Sequence, residues 1–345
     1  MTSRIRAAVS GSASSLTGRP AYARGCALGA RDSAAATVAR VPDGRYAPSP
    51  TGTLHLGNLR TALLAWLFSR SSGSRFLMRV EDLDTGRSRE RFVAEQLADL
   101  AALGLDWDGP VVRQSERGER YAAALAALDA RGLVYPCWCT RAEIRQAATA
   151  PHGALPDGTY PGTCRELTAA ESRGRERSGR PAALRVRADA AQVTVEDRLL
   201  GSIGSVVDDF VLRRTDGDWA YNLAVVVDDH AQGVAEVVRG ADLLETTPRQ
   251  AWLHGALGYG APPAYAHVPL LLGADGARLA KRHGAVTLAD RAAQDRSAAD
   301  VRAELAASVG LCAADERPEP AELAARFDAS LLTAWSPNAV TRRRS

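Results

Sequence analysis

The run Arg45-Tyr46-Ala47-Pro48-Ser49-Pro50-Thr51-Gly52-Thr53-Leu54-His55-Leu56-Gly57-Asn58 holds the residues best suited to chemistry. Its prolines forbid helix, a Gly/Thr turn follows, and Leu59, Ala62, Leu63, Trp66 and Leu67 then recur at helical spacing. His55 and Gly57 therefore stand at a helix start, where unpaired N–H groups and the positive end of the dipole receive anions. Gly57 carries no side chain, so a flat ring can approach its backbone. Taken without context, one histidine in a Gly/Pro loop is an ordinary surface turn. Glu81-Asp82 follows Arg75 to Val80, which reads as a buried strand, and a carboxylate at the tip of such a strand is placed to meet a cation. Cys137, Cys139 and Cys164 flank a loop too rich in Pro and Gly to pack by itself, and tetrahedral Zn²⁺ would close it. His152 and Tyr160 are the candidates for a fourth ligand, and buried free thiols are the alternative. Arg278-Leu279-Ala280-Lys281-Arg282 is a basic pentapeptide that, alone, reads as a solvated face.

These groups need elements to hold them. After the first helix comes the strand ending at Val80, then a helix expected to be capped by Ser88, carrying Val93, Leu97 and Leu100 and stopping at Gly104. A further helix has Tyr121, Leu125 and Leu128 inward and ends at Gly132. Strand and helix in alternation predict an α/β fold with a Rossmann-type parallel sheet. Thr140 and Glu143 form a capping box for a short helix. Residues 183–187, 193–197 and 209–214 are strand-like, and Asp216-Gly217 is a hairpin turn signal. Tyr221 to Val227 is an apolar run expected as a central parallel strand with Asp228, Asp229 and His230 at its tip. Thr247-Pro248 opens a helix, and a strand from Tyr265 to Leu272 leads into the basic loop.

The run around His55-Leu56-Gly57-Asn58 resembles the HIGH signature of the class I aminoacyl-tRNA synthetases, and Arg45 to Gly52 looks like their glutamyl and glutaminyl branch. The basic loop is similar to the second signature, KMSKS, with Arg278 and Ala280 replacing the usual lysine and serine; the charge is kept but a hydroxyl is lost. The resemblance runs from about Arg45 to about Gly310. It implies attack of the glutamate α-carboxylate on the α-phosphate of ATP, with Mg²⁺ accompanying the nucleotide. By that resemblance His55 and Lys281 face the phosphates and Gly57 makes room for adenine. Arg45 and Arg239 are assigned to the side-chain carboxylate of glutamate, Glu81 to its ammonium, and Ala47, Ser49 and Tyr221 to the rest of the glutamate pocket. Cys-x-Cys followed by Tyr-x-x-x-Cys, at Cys137, Cys139, Tyr160 and Cys164, resembles the zinc module of the glutamyl-Q tRNA(Asp) synthetase subgroup, as does Ala241-Asp242-Leu243. That subgroup lacks the anticodon-binding region and esterifies glutamate to queuosine at the wobble position of tRNA(Asp). A truncated enzyme charging tRNA(Glu), or an inactive zinc- and RNA-binding paralogue, are the other readings.

Composition agrees with such a protein without requiring it. A chain of 345 residues allows about two domains, and a net charge of +3 neither demands nor excludes a nucleic-acid partner. Five cysteines suit a metal site plus free thiols in a reducing cytoplasm better than a disulfide framework. No run of eighteen uncharged apolar residues occurs, so no membrane span is expected. Residues 1–41, rich in Ala, Ser, Gly and Arg, are expected to be disordered; they resemble a transit peptide, and an artefactual early start codon is the preferred explanation. The catalytic domain is expected over 42–297, interrupted by a zinc module at about 137–164, with a helical segment and basic tail over 298–345. A monomer is expected.

Overall fold

The computed structural model describes residues 42–148, 159–273, 279 and 286–333. His152, residues Arg278, Ala280, Lys281 and Arg282 of the basic loop, residues 1–41 and the basic tail lie outside that set.

The first part alternates strand and helix: β1 (Gly44–Tyr46), α1 (Leu56–Ser71), β2 (Phe76–Val80), α2 (Glu90–Ala102), β3 (Val112–Arg113) and α3 (Gly118–Asp129). Shorter elements follow: β4 (Val134–Cys137), α4 (Arg141–Ala148), α5 (Ala169–Arg177), β5 (Ala183–Val186), β6 (Gln192–Asp197), β7 (Gly201–Val206) and β8 (Val211–Arg213). The chain returns through α6 (Tyr221–Gln232), β9 (Glu236–Gly240), α7 (Thr247–Ala256) and β10 (Ala264–Val268), and continues in α8 (Leu288–Ala292), α9 (Ala298–Ala307) and α10 (Pro320–Arg326).

Strands β1, β2 and β3 pair in parallel. A second sheet has the order β7-β6-β10-β9, parallel except for the β6–β7 hairpin. The two meet where the Ala235 and Glu236 N–H groups donate to the Asp43 carbonyl at 2.9 and 3.2 Å, beside β1. From there the chain crosses to β2 on one side and β9 on the other, the switch point at which open α/β sheets bind ligands. A separate antiparallel sheet, β4-β5-β8, carries the cysteine region.

Helix α1 is apolar nearly all round because it is covered all round. Leu59, Leu63, Leu64 and Leu67 on it are at most 1% exposed and share one core with Val301, Leu305 and Ala306 of α9 and Leu323 of α10. That burial makes α1 a rigid support for the loop before it. Among the described residues no helix is long and apolar enough to cross a membrane.

Two expectations need correction, and one strand was missed. Tyr221 to Val227 is not a strand but the start of α6. A continuous apolar run does not separate a buried helix from a buried strand, and here Leu223 to Val227 are covered on all sides. Ser88 does not cap α2: its buried hydroxyl accepts no helix N–H, and the helix starts one residue later with Arg89 as N-cap. Strand β7 went unread because Gly201-Ser202-Ile203-Gly204-Ser205-Val206 has no apolar alternation.

Candidate active site and metal centre

A cleft of about 530 Å³ opens at the carboxyl ends of β1, β2 and β9, and Arg45, Ala47, Ser49, His55, Gly57, Glu81, Tyr221 and Arg239 all line it. The structure thus brings together every described residue assigned to the nucleotide and the amino acid; Lys281 lies outside the described set.

His55 is the N-cap of α1. Its Nδ1 accepts the Asn58 N–H at 3.2 Å, and its own N–H donates to Asn58 Oδ1 at 3.2 Å. An accepting Nδ1 puts the ring proton of the neutral imidazole on Nε2. Gly57 has a second duty beyond leaving room for a ring: a Cβ there would come 2.9 Å from His55 Cε1 and 3.0 Å from Nδ1. Arg60, on the next turn, donates from NH2 to the Pro269 carbonyl at 2.7 Å, tying α1 to the segment that runs toward Leu279. Burial lowers this guanidinium to about 10.

Beneath Arg45 and Glu81 of the cleft, cations and carboxylates alternate. Asp229 Oδ1 accepts from Arg45 Nε at 3.2 Å and Arg79 NH1 at 2.7 Å. Arg79 NH2 lies 3.5 Å from Glu81 Oε1, and Arg79 is fully buried. Asp228 accepts from Gln114 Nε2 at 2.9 Å, the Tyr121 hydroxyl at 2.7 Å and Arg117 Nε at 2.5 Å. Burial raises the Glu81 carboxyl above its ordinary range, with Arg79 and Arg45 opposing. Burial pushes Asp229 the same way, but Arg45 and Arg79 outweigh it and hold that carboxyl low. Arg45 also donates to the Val238 carbonyl from NH1 at 3.4 Å, and none of these bonds uses its NH2.

Arg239, on β9, is 4% exposed. Its Nε reaches His267 Nε2 at 3.2 Å, NH1 reaches Gln250 Oε1 at 2.7 Å and the Tyr221 hydroxyl at 3.2 Å, and NH2 reaches Thr247 Oγ1 at 2.7 Å. All of these are neutral acceptors, and among the described residues no carboxylate pairs with it. A buried guanidinium gains most from an anionic, bidentate partner, so this cleft is suited to a carboxylate brought in by a ligand.

Arg79, Asp197, Thr247, Gln250 and His267 escaped the sequence reading. The available signal was a charged or ionisable residue inside an apolar strand, Arg79 within Phe76-Leu77-Met78-Arg79-Val80 and His267 within Ala264-Tyr265-Ala266-His267-Val268, where only a buried partner permits it.

The cysteines do converge. The Sγ atoms of Cys137, Cys139 and Cys164 lie within 4.8 Å of one another, with Cys139 and Cys164 at 3.4 Å. Tyr160 Oη lies 3.3 Å from Cys137 Sγ and 3.8 Å from Cys139 Sγ. Zinc–ligand bonds of about 2.0–2.3 Å in a tetrahedron require S···S near ~3.8 Å and S···O near ~3.5 Å, so this S₃O set fits Zn²⁺. Burial pushes the Cys139 thiol up to about 12, assisted by Cys164 and Cys137; an incoming ion must displace that proton. Tyr160 is braced by the Arg185 guanidinium 3.8 Å over its ring. Its N–H donates to Asp208 Oδ2 at 3.1 Å, and Asp208 Oδ1 accepts from Arg249 of α7 at 2.6 Å.

The family profile described as "tRNA synthetases class I (E and Q), catalytic domain" matches residues 43–311. A glutamyl-Q tRNA(Asp) synthetase of Nocardia farcinica is 61% identical over 289 residues, 84% of this chain and 90% of the relative. One from Symbiobacterium thermophilum is 50% identical, over 83% and 92% of the two chains. A crystal structure of a glutamate tRNA ligase from Elizabethkingia meningosepticum in complex with its amino acid matches with TM-score 0.73 and 26% identity, over 84% of this chain and 65% of that one. The chain therefore belongs to the glutamyl-Q tRNA(Asp) synthetases, ligases built on the catalytic domain of the class I tRNA synthetases for glutamate and glutamine.

Proposed function

We propose that this chain activates L-glutamate with ATP, without tRNA, to glutamyl-adenylate and then esterifies glutamate to queuosine at the wobble position of tRNA(Asp). The observation that supports the amino-acid choice is Arg239: a buried guanidinium on the cleft wall with only neutral partners calls for a carboxylate on the ligand. Its NH1 and NH2 each have one strong acceptor; the remaining contacts, to Tyr221, Thr246 and Leu243, are 3.2 to 3.5 Å and give way to an anion. Arg45, with NH2 unengaged by Asp229 or Val238, takes a second carboxylate oxygen, and Glu81 takes the ammonium. Glutamine would leave the Arg239 charge unmatched, a penalty that yields strong discrimination.

His55 donates from Nε2 toward the phosphates, and Lys281 supplies a point charge to the same oxygens as negative charge develops. Gly57 lets adenine lie against the start of α1. Mg²⁺ enters with ATP, held mostly by phosphate and water. Zn²⁺, bound by Cys137, Cys139, Tyr160 and Cys164, is structural: it closes the loop between β4 and β5.

The queuosine acceptor rests on the names of the relatives. Purified protein, ATP and labelled glutamate are expected to place an alkali-labile label on the anticodon base of queuosine-containing tRNA(Asp). Label on the 3′ end of tRNA(Glu) would overturn the acceptor assignment in favour of ordinary charging. Absence of glutamate-dependent pyrophosphate exchange by metal-loaded protein would overturn the activation step.

A further inference from the structure

We propose that Asp197 and His267 are positioning residues for Arg239: the carboxylate fixes the tautomer of a buried imidazole, and the imidazole fixes the guanidinium. This rests on Arg239 being the group that meets the substrate's side-chain carboxylate.

Asp197 ends β6, and His267 lies on the neighbouring β10. Asp197 Oδ1 accepts the Leu199 and Leu200 N–H groups at 2.9 and 3.0 Å, and Oδ2 accepts the His267 N–H at 3.1 Å and lies 2.6 Å from His267 Nδ1. Both oxygens are occupied, so the carboxylate does not rotate. Arg239 Nε is a donor only, which makes His267 Nε2 an acceptor and puts the ring proton on Nδ1, toward Asp197. Thr247 Oγ1, 2.9 Å from the same Nε2, accepts from Arg239 NH2, closing a ring of bonds around one edge of the guanidinium. Burial holds the imidazole below the ordinary histidine range, and the Arg239 charge adds to this against the pull of Asp197.

The arrangement solves a specificity problem. A carboxylate directly on Arg239 would compete with the substrate's own. A neutral imidazole between the two grips the guanidinium through Nε and leaves one N–H on each of NH1 and NH2, held only by contacts of 3.2 to 3.5 Å, to the cleft, while Asp197 keeps the imidazole's lone pair pointing the right way.

Two measurements test this. Long-range ¹H–¹⁵N spectra of the wild-type protein at pH 7 are expected to show His267 as the Nδ1–H tautomer; an Nε2–H tautomer or an imidazolium overturns the proposal. In pyrophosphate exchange, His267→Phe is expected to raise the glutamate KM by roughly 10- to 100-fold, the range for losing a hydrogen bond to a charged group. The ATP KM should stay within about twofold, and His267→Gln, whose amide oxygen can still accept from Arg239, should recover most of the loss. An unchanged glutamate KM, equal rises in both KM values, or no recovery in the Gln variant overturns it. If the wild-type protein shows no glutamate-dependent exchange, the activation reading fails, while the tautomer measurement still decides the relay.

Discussion

His55 caps the helix that it introduces, and Asn58 reciprocates: Nδ1 takes the Asn58 N–H while Asn58 Oδ1 takes that of His55, each at 3.2 Å. The imidazole is thereby aimed before any nucleotide arrives. Asn58→Ala removes half of this box and is expected to cost about 1 kcal/mol of stability, read by urea denaturation. The same variant should lower kcat for pyrophosphate exchange with little change in the glutamate KM. Gly57→Ala should do so more severely, because its methyl group would lie 2.9 Å from the ring it must not displace.

Acidification should weaken glutamate binding early. Burial raises the Glu81 carboxyl above its ordinary range, so it takes up its proton at a higher pH than an exposed glutamate and then loses the negative charge proposed to match the substrate ammonium. If Glu81 meets the substrate ammonium as proposed, the glutamate KM climbs as pH falls through that raised value. Glu81→Gln should show a high KM with this limb missing; a wild-type limb retained in the variant would assign the titration to another group.

The buried charges under the cleft share partners in one network, and removing one should be expensive. Arg79→Met leaves Asp229 and Glu81 without their shared cation and is expected to destabilise by about 3–5 kcal/mol. Urea denaturation of the metal-loaded protein reads this directly. A loss under about 1 kcal/mol would mean that the carboxylates had taken up protons instead.

Metal content separates the ligands from their surroundings. Wild-type protein is expected to bind one zinc per chain, Cys164→Ser to lose most of it, and Tyr160→Phe to keep the fold of β4 and β5 but bind zinc more weakly. Elemental analysis after dialysis against a chelator, with limited proteolysis across the loop, checks all three. Full zinc retention by Tyr160→Phe would exclude the phenol oxygen as a ligand.

Much of this protein was written locally. The Pro/Gly turn into α1, the capping box at Thr140, the Cys-x-Cys pair and the Arg45 to Asn58 run depend on neighbours a few residues away, so their types and spacing determined strand, turn, helix and family resemblance. The chain folded back on itself decided what spacing does not encode. It made Tyr221 to Val227 a helix, because a run buried on every side carries no period. It set Asp229 beside Arg45, 184 residues away, and His267 beside Asp197, 70 residues away. A buried charge is stable only where a partner meets it, and that meeting is a property of the packed sheet, not of either segment alone.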